Sequence, residues 1–179
     1  MNYSEMFWNM KEVPFNNYFN DILNETFKNN NIPLFIKKNE IKWGIGKPDG
    51  IGYIEDVRKL IVEYKKIGTY KGKTIQSAAC QEVCYVYDEY KNSIIPIRLH
   101  VIITENEILL INNEKYEYIY ENFALLREQY PDISPCNFYK TVKEARDLFK
   151  DVKNLADYIF NMEDININEL AETIYKMSA

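Results

Sequence analysis

Two hydrophobic periodicities alternate along this chain, and their succession restricts it to an architecture of helices layered on a sheet. From Pro14 to Lys28 the apolar residues Phe15, Tyr18, Phe19, Ile22, Leu23 and Phe27 recur at three- and four-residue steps, with Pro14 suited to a first helical turn. Asn29-Asn30-Asn31 before Ile32-Pro33 breaks that helix. Short apolar or alternating runs follow at Ile32 to Trp43 and Gly50 to Ile54, and they read as strands separated by Gly44-Ile45-Gly46-Lys47-Pro48. Leu60 to Lys65 is the clearest strand, rich in β-branched and aromatic residues. A second amphipathic helix spans Thr74 to Tyr90 on Ile75, Ala78, Ala79, Val83, Val86, Tyr87 and Tyr90. Ile94 to Ile103 and Ile108 to Ile111 form another strand pair about Glu105-Asn106-Glu107, and from about Tyr116 the chain reads as three helices. The expected fold is therefore α/β, a mixed sheet flanked by helices.

Composition narrows the function. With 179 residues, 46% of them hydrophobic and 27% charged, the chain can bury a core. No window approaches the ~18 apolar residues of a membrane span, and Met1-Asn2-Tyr3-Ser4-Glu5 lacks the basic start of a signal peptide, so a cytoplasmic location and no membrane partner are expected. Three cysteines give no disulfide framework, and a single histidine removes zinc or catalytic patterns that need two. Cys80 and Cys84 lie one helical turn apart, but with only Cys136 remaining they cannot complete a four-cysteine cluster and read as free thiols. His100 alternates with Ile97, Leu99 and Val101, which suits a structural role. The net charge of −5 disfavours a polyanion partner until the charges are located. Residues 58–73 hold six bases (Arg58, Lys59, Lys65, Lys66, Lys71, Lys73) against Glu63, whereas six acids face two bases from Asp151 onward. The first stretch suits tracking of a DNA backbone, with stacking from Tyr64 and Tyr70, and 66–73 equally suits a solvated basic loop.

One cluster carries chemistry. If Glu55 to Lys59 is a five-residue hairpin turn, antiparallel pairing sets Ile54 opposite Leu60, Ile51 opposite Glu63 and Asp49 opposite Lys65. Side chains alternate with period two, so Glu63 and Lys65 share a face. Two carboxylates and an ammonium then converge, an arrangement suited to a hard divalent cation. Asp49 and Glu63 would supply oxygens, Tyr64 its main-chain carbonyl, and Lys65 charge compensation at a phosphate. Pro48-Asp49-Gly50 is also a common turn sequence, and a strand carrying Glu63 and Lys65 is also a common solvated surface.

Pro48-Asp49 followed by Glu63-Tyr64-Lys65 after a hairpin resembles the PD-(D/E)XK signature of restriction-endonuclease-like nucleases. Gln81 to Tyr85 is similar to the QxxxY motif of the RecB-like and type I restriction branch, and 100° steps set Gln81 beside Tyr85, away from Ile75, Ala79, Val86 and Tyr90. The resemblance implies a restriction-endonuclease-like sheet over residues 1–150, a C-terminal helical appendage over 151–179, and a Mg²⁺-dependent endonuclease acting on DNA in restriction–modification or defence. It implies Asp49, Glu63, Lys65 and Gln81 as catalytic residues, Tyr85 as a substrate contact, and Asp49, Glu63 and Tyr64 as ligands of Mg²⁺, for which Mn²⁺ substitutes. The alternative is a nuclease fold that has lost catalysis and serves as a DNA-binding or assembly module. Similar modules begin type I restriction subunits and fused restriction–methylation enzymes, so a helicase or methyltransferase partner subunit is implied, and a homodimer would supply two active sites for duplex cutting. The family often adds an acid on the first helix; Glu25 is best placed, with Asp21 and Glu12 also in range. Gly44-Ile45-Gly46-Lys47 lacks P-loop spacing and leads into a strand, which argues against a nucleotide loop.

Overall fold

The computed structural model describes residues 2–38, 41–68, 73–91 and 93–179. Helices α1 (Tyr3–Asn9) and α2 (Glu12–Asn29) lead into strands β1 (Phe35–Lys37), β2 (Gly50–Ile54) and β3 (Val57–Lys65). Helix α3 (Ile75–Tyr90) crosses to β4 (Leu99–Thr104) and β5 (Glu107–Asn112). Helices α4 (Glu117–Gln129), α5 (Pro135–Thr141) and α6 (Lys143–Phe149) precede β6 (Tyr158–Asn161) and α7 (Ile167–Ser178). The strands form one mixed sheet in the order β1-β2-β3-β4-β5-β6, parallel at β3–β4 and antiparallel elsewhere. A parallel neighbour needs a crossover, and α3 supplies it.

Period-two alternation sorts the central strands into two cores. Leu60, Val62 and Tyr64 of β3 and Leu99, Val101 and Ile103 of β4 pack with Phe7, Phe15, Phe19, Leu23 and Phe27 of α1 and α2. On the other face Ile102, Leu109 and Ile111 meet Ala78, Ala79 and Val83 of α3 and Phe123, Phe138 and Phe149 of α4 to α6. Ile51 and Ile61 share a third cluster with Trp43, Tyr85, Val86 and Ile97. Helix α3 is wrapped by sheet on one side and helices on the other, so ten of its residues are buried and it reads as apolar nearly all round. Its N-terminus is closed by a capping box, with Thr74 Oγ1 accepting from Ser77 N–H and Ser77 Oγ accepting from Thr74 N–H.

Several boundaries differ from the sequence reading for identifiable reasons. The β2–β3 turn is two residues, Glu55-Asp56, both at positive φ (50° and 64°), which is the backbone a tight type I′ hairpin requires. Val57 to Lys59 therefore belong to the strand. Lys59 is the extra residue of a bulge, since Tyr53 pairs with Arg58 and Gly52 with Leu60. The Ile32 to Trp43 strand contracts to β1, with residues 39 and 40 outside the described set. β4 starts only at Leu99, three residues after Pro96, which cannot donate to a ladder. No helix among the described residues is long and apolar enough to cross a membrane.

Residues 151–179, expected as a helical appendage, contribute a strand as well as a helix, and both join the main fold. β6 extends the sheet beside β5, with Asp157 N–H donating to Leu110 O (2.8 Å) and Asp157 Oδ2 accepting from Asn112 N–H (2.8 Å). Leu170, Ala171 and Ile174 of α7 are fully buried in the same core as α2. Leu170→Ala is accordingly expected to cost about 2–5 kcal/mol in urea unfolding and to shift one global transition. A separate early transition carrying the whole loss would mean that this segment folds by itself.

Candidate functional site

The observed register brings Asp49 and Glu63 together. Gly50 pairs with Val62 and Ile51 with Ile61, two residues off the expected alignment, so Asp49 falls opposite Glu63 rather than opposite Lys65. A shift of two leaves every side chain on its original face. That is why the convergence survives the misplaced turn. Asp49 N–H donates to Glu63 Oε1 (3.2 Å) and Asp49 Oδ2 accepts from Tyr64 N–H (2.9 Å). The two carboxyl groups also act on each other, the contact lowering Asp49 and raising Glu63.

Burial governs the electrostatics. Glu63 is 1% exposed, and desolvation followed by the adjoining Asp49 charge holds its carboxyl well above the usual range. Asp49 is raised as well, chiefly by burial, although the Glu63 hydrogen bond, the Tyr64 N–H and the Lys65 charge work against that rise. Lys65 is half-buried at the end of β3, on the same strand face as Glu63, and its charge lowers both carboxyls. Tyr64 sits in the β3–β4 ladder opposite Ile103. Its ring, expected to stack on substrate, is buried on the opposite face, where its hydroxyl donates to Asn20 Oδ1.

Gln81 and Tyr85 do lie together, with Gln81 Nε2 donating to Tyr85 Oη (3.2 Å). Neither presents an open face to a substrate, because both are buried. Burial first, and then the charge of Glu63, raises the Tyr85 phenol, so the helix motif adjoins the carboxyl pair electrostatically. Gln81 Oε1 has no hydrogen-bond partner among the described residues.

Two further acids belong to this neighbourhood, one a first-helix candidate and one unexpected. Glu12, in the first turn of α2, accepts from Lys66 N–H (3.0 Å) and from Lys73 Nζ (2.6 Å), and its charge raises Asp49. Of the three first-helix candidates it is the one whose charge reaches Asp49; Asp21 acts on Tyr64, and Glu25 lines a groove with Phe35 and Tyr53. Glu82 on α3 is fully buried, both its oxygens lack a hydrogen-bond partner among the described residues, and it raises Glu63. The spacing of Ile75, Ala79, Glu82 and Val86 follows an apolar stripe, so a carboxylate at its third position was the available signal.

Glu82 Oε1 stands 3.6 Å from Nδ1 of His100, also fully buried. Burial pushes the Glu82 carboxyl well up and the imidazole down to about 4, so burial disfavours the charged form of each. His100 Nε2 is 2.8 Å from Asn113 Oδ1, an oxygen that also accepts from Tyr120 Oη at 2.9 Å. An acceptor there assigns the proton to Nε2 and leaves the Nδ1 lone pair towards Glu82.

The donor set of Asp49 and Glu63 fits a hard divalent cation. Two neighbouring carboxyl groups, one fully buried, disfavour double ionisation unless a proton or a cation offsets the charge. Among the described residues no group of three or more His, Cys, Asp or Glu side chains is placed to hold a metal, so such an ion would take its remaining ligands from main chain and water. No protein-family model, curated protein or solved structure matches this chain.

The His100 assignment has a testable sign. Its folded value lies near 4 and its unfolded value near 6.5, so the unfolded chain binds the proton first on acidification, and stability is lost as pH falls through that window. Glu82, Tyr116 and Tyr120 surround the ring, and the raised Glu82 carboxyl contributes the opposite slope. Subtracting His100→Gln from wild type removes that shared background. The difference in unfolding free energy is expected to grow by about 3 kcal/mol from pH 4 to 7. A flat difference would mean that His100 titrates as in the unfolded chain.

Proposed function

We propose that this chain is a divalent-cation-dependent nuclease that hydrolyses phosphodiester bonds of DNA, acting as an endonuclease in restriction or defence. The observation that carries this reading is the Asp49–Glu63 carboxyl pair, Glu63 buried and Asp49 half-buried, with the Lys65 charge acting on both. Asp49 and Glu63 would hold Mg²⁺, or Mn²⁺ in its place, with the Tyr64 carbonyl as a further ligand. When bound, the ion supplies Lewis-acid polarisation of a phosphoryl oxygen and lowers the pKa of a coordinated water.

The chain's own groups have distinct tasks. Tyr64 N–H fixes Asp49 Oδ2, which orients the carboxylate before substrate arrives. Lys65 offsets negative charge as it develops on the phosphate oxygens. Gln81 holds Tyr85 by a hydrogen bond, and the pair closes the α3 side of the carboxyl site against water. In this reading a helicase or methyltransferase subunit directs where cutting occurs, and a second copy of the chain supplies the second strand's cut.

Plasmid incubated with Mg²⁺ is expected to be nicked or linearised by wild type and spared when EDTA is present. Asp49→Ala, Glu63→Gln and Lys65→Ala are each expected to lose about 10²–10³-fold in rate, the scale of removing one preorganised charge-stabilising group. Equal residual activity in wild type and all three variants would remove the assignment. Duplex binding by wild type without metal-dependent cleavage would instead assign the non-catalytic DNA-binding role. RNA cut in preference to DNA of the same sequence would reassign the substrate.

A further inference from the structure

The basic run at 58–73 is largely occupied with internal work. Arg58 pairs with Glu89 and lies over the Trp43 ring (4.9 Å), Lys66 Nζ donates to Trp8 O (2.6 Å) and Met10 O (2.8 Å), and Lys73 Nζ bonds Glu12 (2.6 Å). Lys71 and Tyr70 lie outside the described residues. Positive charge is less committed one element earlier. Residues 37–47 contain Lys37, Lys38, Lys42 and Lys47 against one acid, Glu40. Lys42 and Lys47 are exposed and make no ion pair or hydrogen bond among the described residues.

These two lysines flank a turn that is rigidly seated. Trp43 N–H donates to Gly46 O (2.7 Å), and the two residues form an antiparallel bridge. Trp43 is fully buried, edge-on to Tyr90 at 5.6 Å. Gly46 lies so close to Tyr85 that a Cβ would meet its ring carbon at 2.7 Å. Gly44, at φ +70°, lies so close to Asp88 that a Cβ would meet its carboxylate at 2.5 Å. Asp88 is itself gripped by Arg127 through two bonds of 2.9 and 2.7 Å. The inner residues thus fix the turn to α3, while Lys42, Ile45 and Lys47 point out to solvent. Lys47 stands two residues before Asp49, within about 7 Å of it along the backbone.

Resting on the nuclease reading, we propose that the Trp43–Gly46 turn is a backbone grip for duplex DNA, in which Lys42 and Lys47 neutralise phosphates next to the one presented to Asp49 and Glu63. Duplex is favoured over unpaired strand because stacking on free bases needs an exposed aromatic, and Trp43, the aromatic of this turn, is buried. The two glycines are read here as packing devices that let a charged turn sit against Tyr85 and Asp88, with no role as a phosphate nest.

The test is the salt dependence of binding. A short labelled DNA duplex is titrated by fluorescence anisotropy over a range of NaCl, with Ca²⁺ replacing Mg²⁺ to withhold cleavage. Each phosphate contact contributes about 0.9 to the slope of log K against log salt. Lys42→Gln and Lys47→Gln are each expected to flatten the slope by about that amount, and together by about twice it. Ile45→Ser in the same turn and Lys176→Gln on α7 are expected to leave it unchanged. A double variant with the wild-type slope, or an equal flattening by Lys176→Gln, would overturn the grip while leaving the nuclease reading intact. Wild type that neither binds duplex nor cuts plasmid would overturn both, and tighter binding of an RNA duplex of the same sequence would overturn the choice of DNA.

Discussion

The carboxyl group of Glu63 is the constraint to which the site is fitted. It lies on an inner strand of the sheet, with a hydrogen-bonded neighbour on either side and helices over both faces, where an ionised carboxylate without a partner is costly. The fold meets that cost locally. Asp49 arrives opposite it through the β2–β3 register, two backbone N–H groups bind the pair, and Lys65 follows two residues later on the same face. The tight Glu55-Asp56 turn and the Lys59 bulge fix the register on which that meeting depends. A one-residue slip would send Glu63 into the apolar layer of Phe15 and Phe19 and bring Tyr64 to the site.

Helix α3 adds a second buried polar group beside the first. Glu82 and His100 face each other, and burial holds the imidazole pKa down while the Asn113 bond works against that fall. Stability and function pull differently here. Apolar residues of similar volume would be tolerated in a layer otherwise built from Ala78, Ala79, Val83 and Ile102. Retaining a carboxyl that raises Glu63 makes the Asp49–Glu63 pair harder to ionise by itself, which favours the state in which a proton or a cation is shared between them.

Much of this was legible in the sequence, and the failures have physical causes. Strand alternation brought Asp49, Glu63 and Lys65 together, because a period of two is insensitive to a boundary error of two residues, whereas Gln81 and Tyr85 stood out by resemblance to a motif and helical steps only set them side by side. The turn was missed because Glu and Asp occupy left-handed positions that usually announce themselves with Asn-Gly or Asp-Gly. β6 was missed because four residues, Tyr158 to Asn161, at the edge of a sheet carry too short a pattern, and their place is set by pairing with distant β5. Glu12 was one of three candidate acids along α2, ranked behind Glu25. What selects it is its tertiary contact with Lys66 and Lys73, which no spacing within the helix encodes.

Charge is where the linear reading and the folded chain diverge most. A basic run marks a polyanion surface only if its cations remain free after folding, and most long side chains near an acidic site do not. Lys66 and Lys73 bind α1 and α2 to the segment after β3, with Glu105 accepting from Ile67 and Gly68 N–H on the other side, so these charges hold the site's wall in place. The solvent-facing lysines of the Gly44-Gly46 turn have no such duty, since that turn is held by Trp43, Tyr85 and Asp88 instead. A net charge of −5 therefore says little about approach of a phosphate backbone. The field that matters arises from ammonium groups left without internal partners, and those nearest to Asp49 along the chain stand just ahead of it in the sequence, not after it.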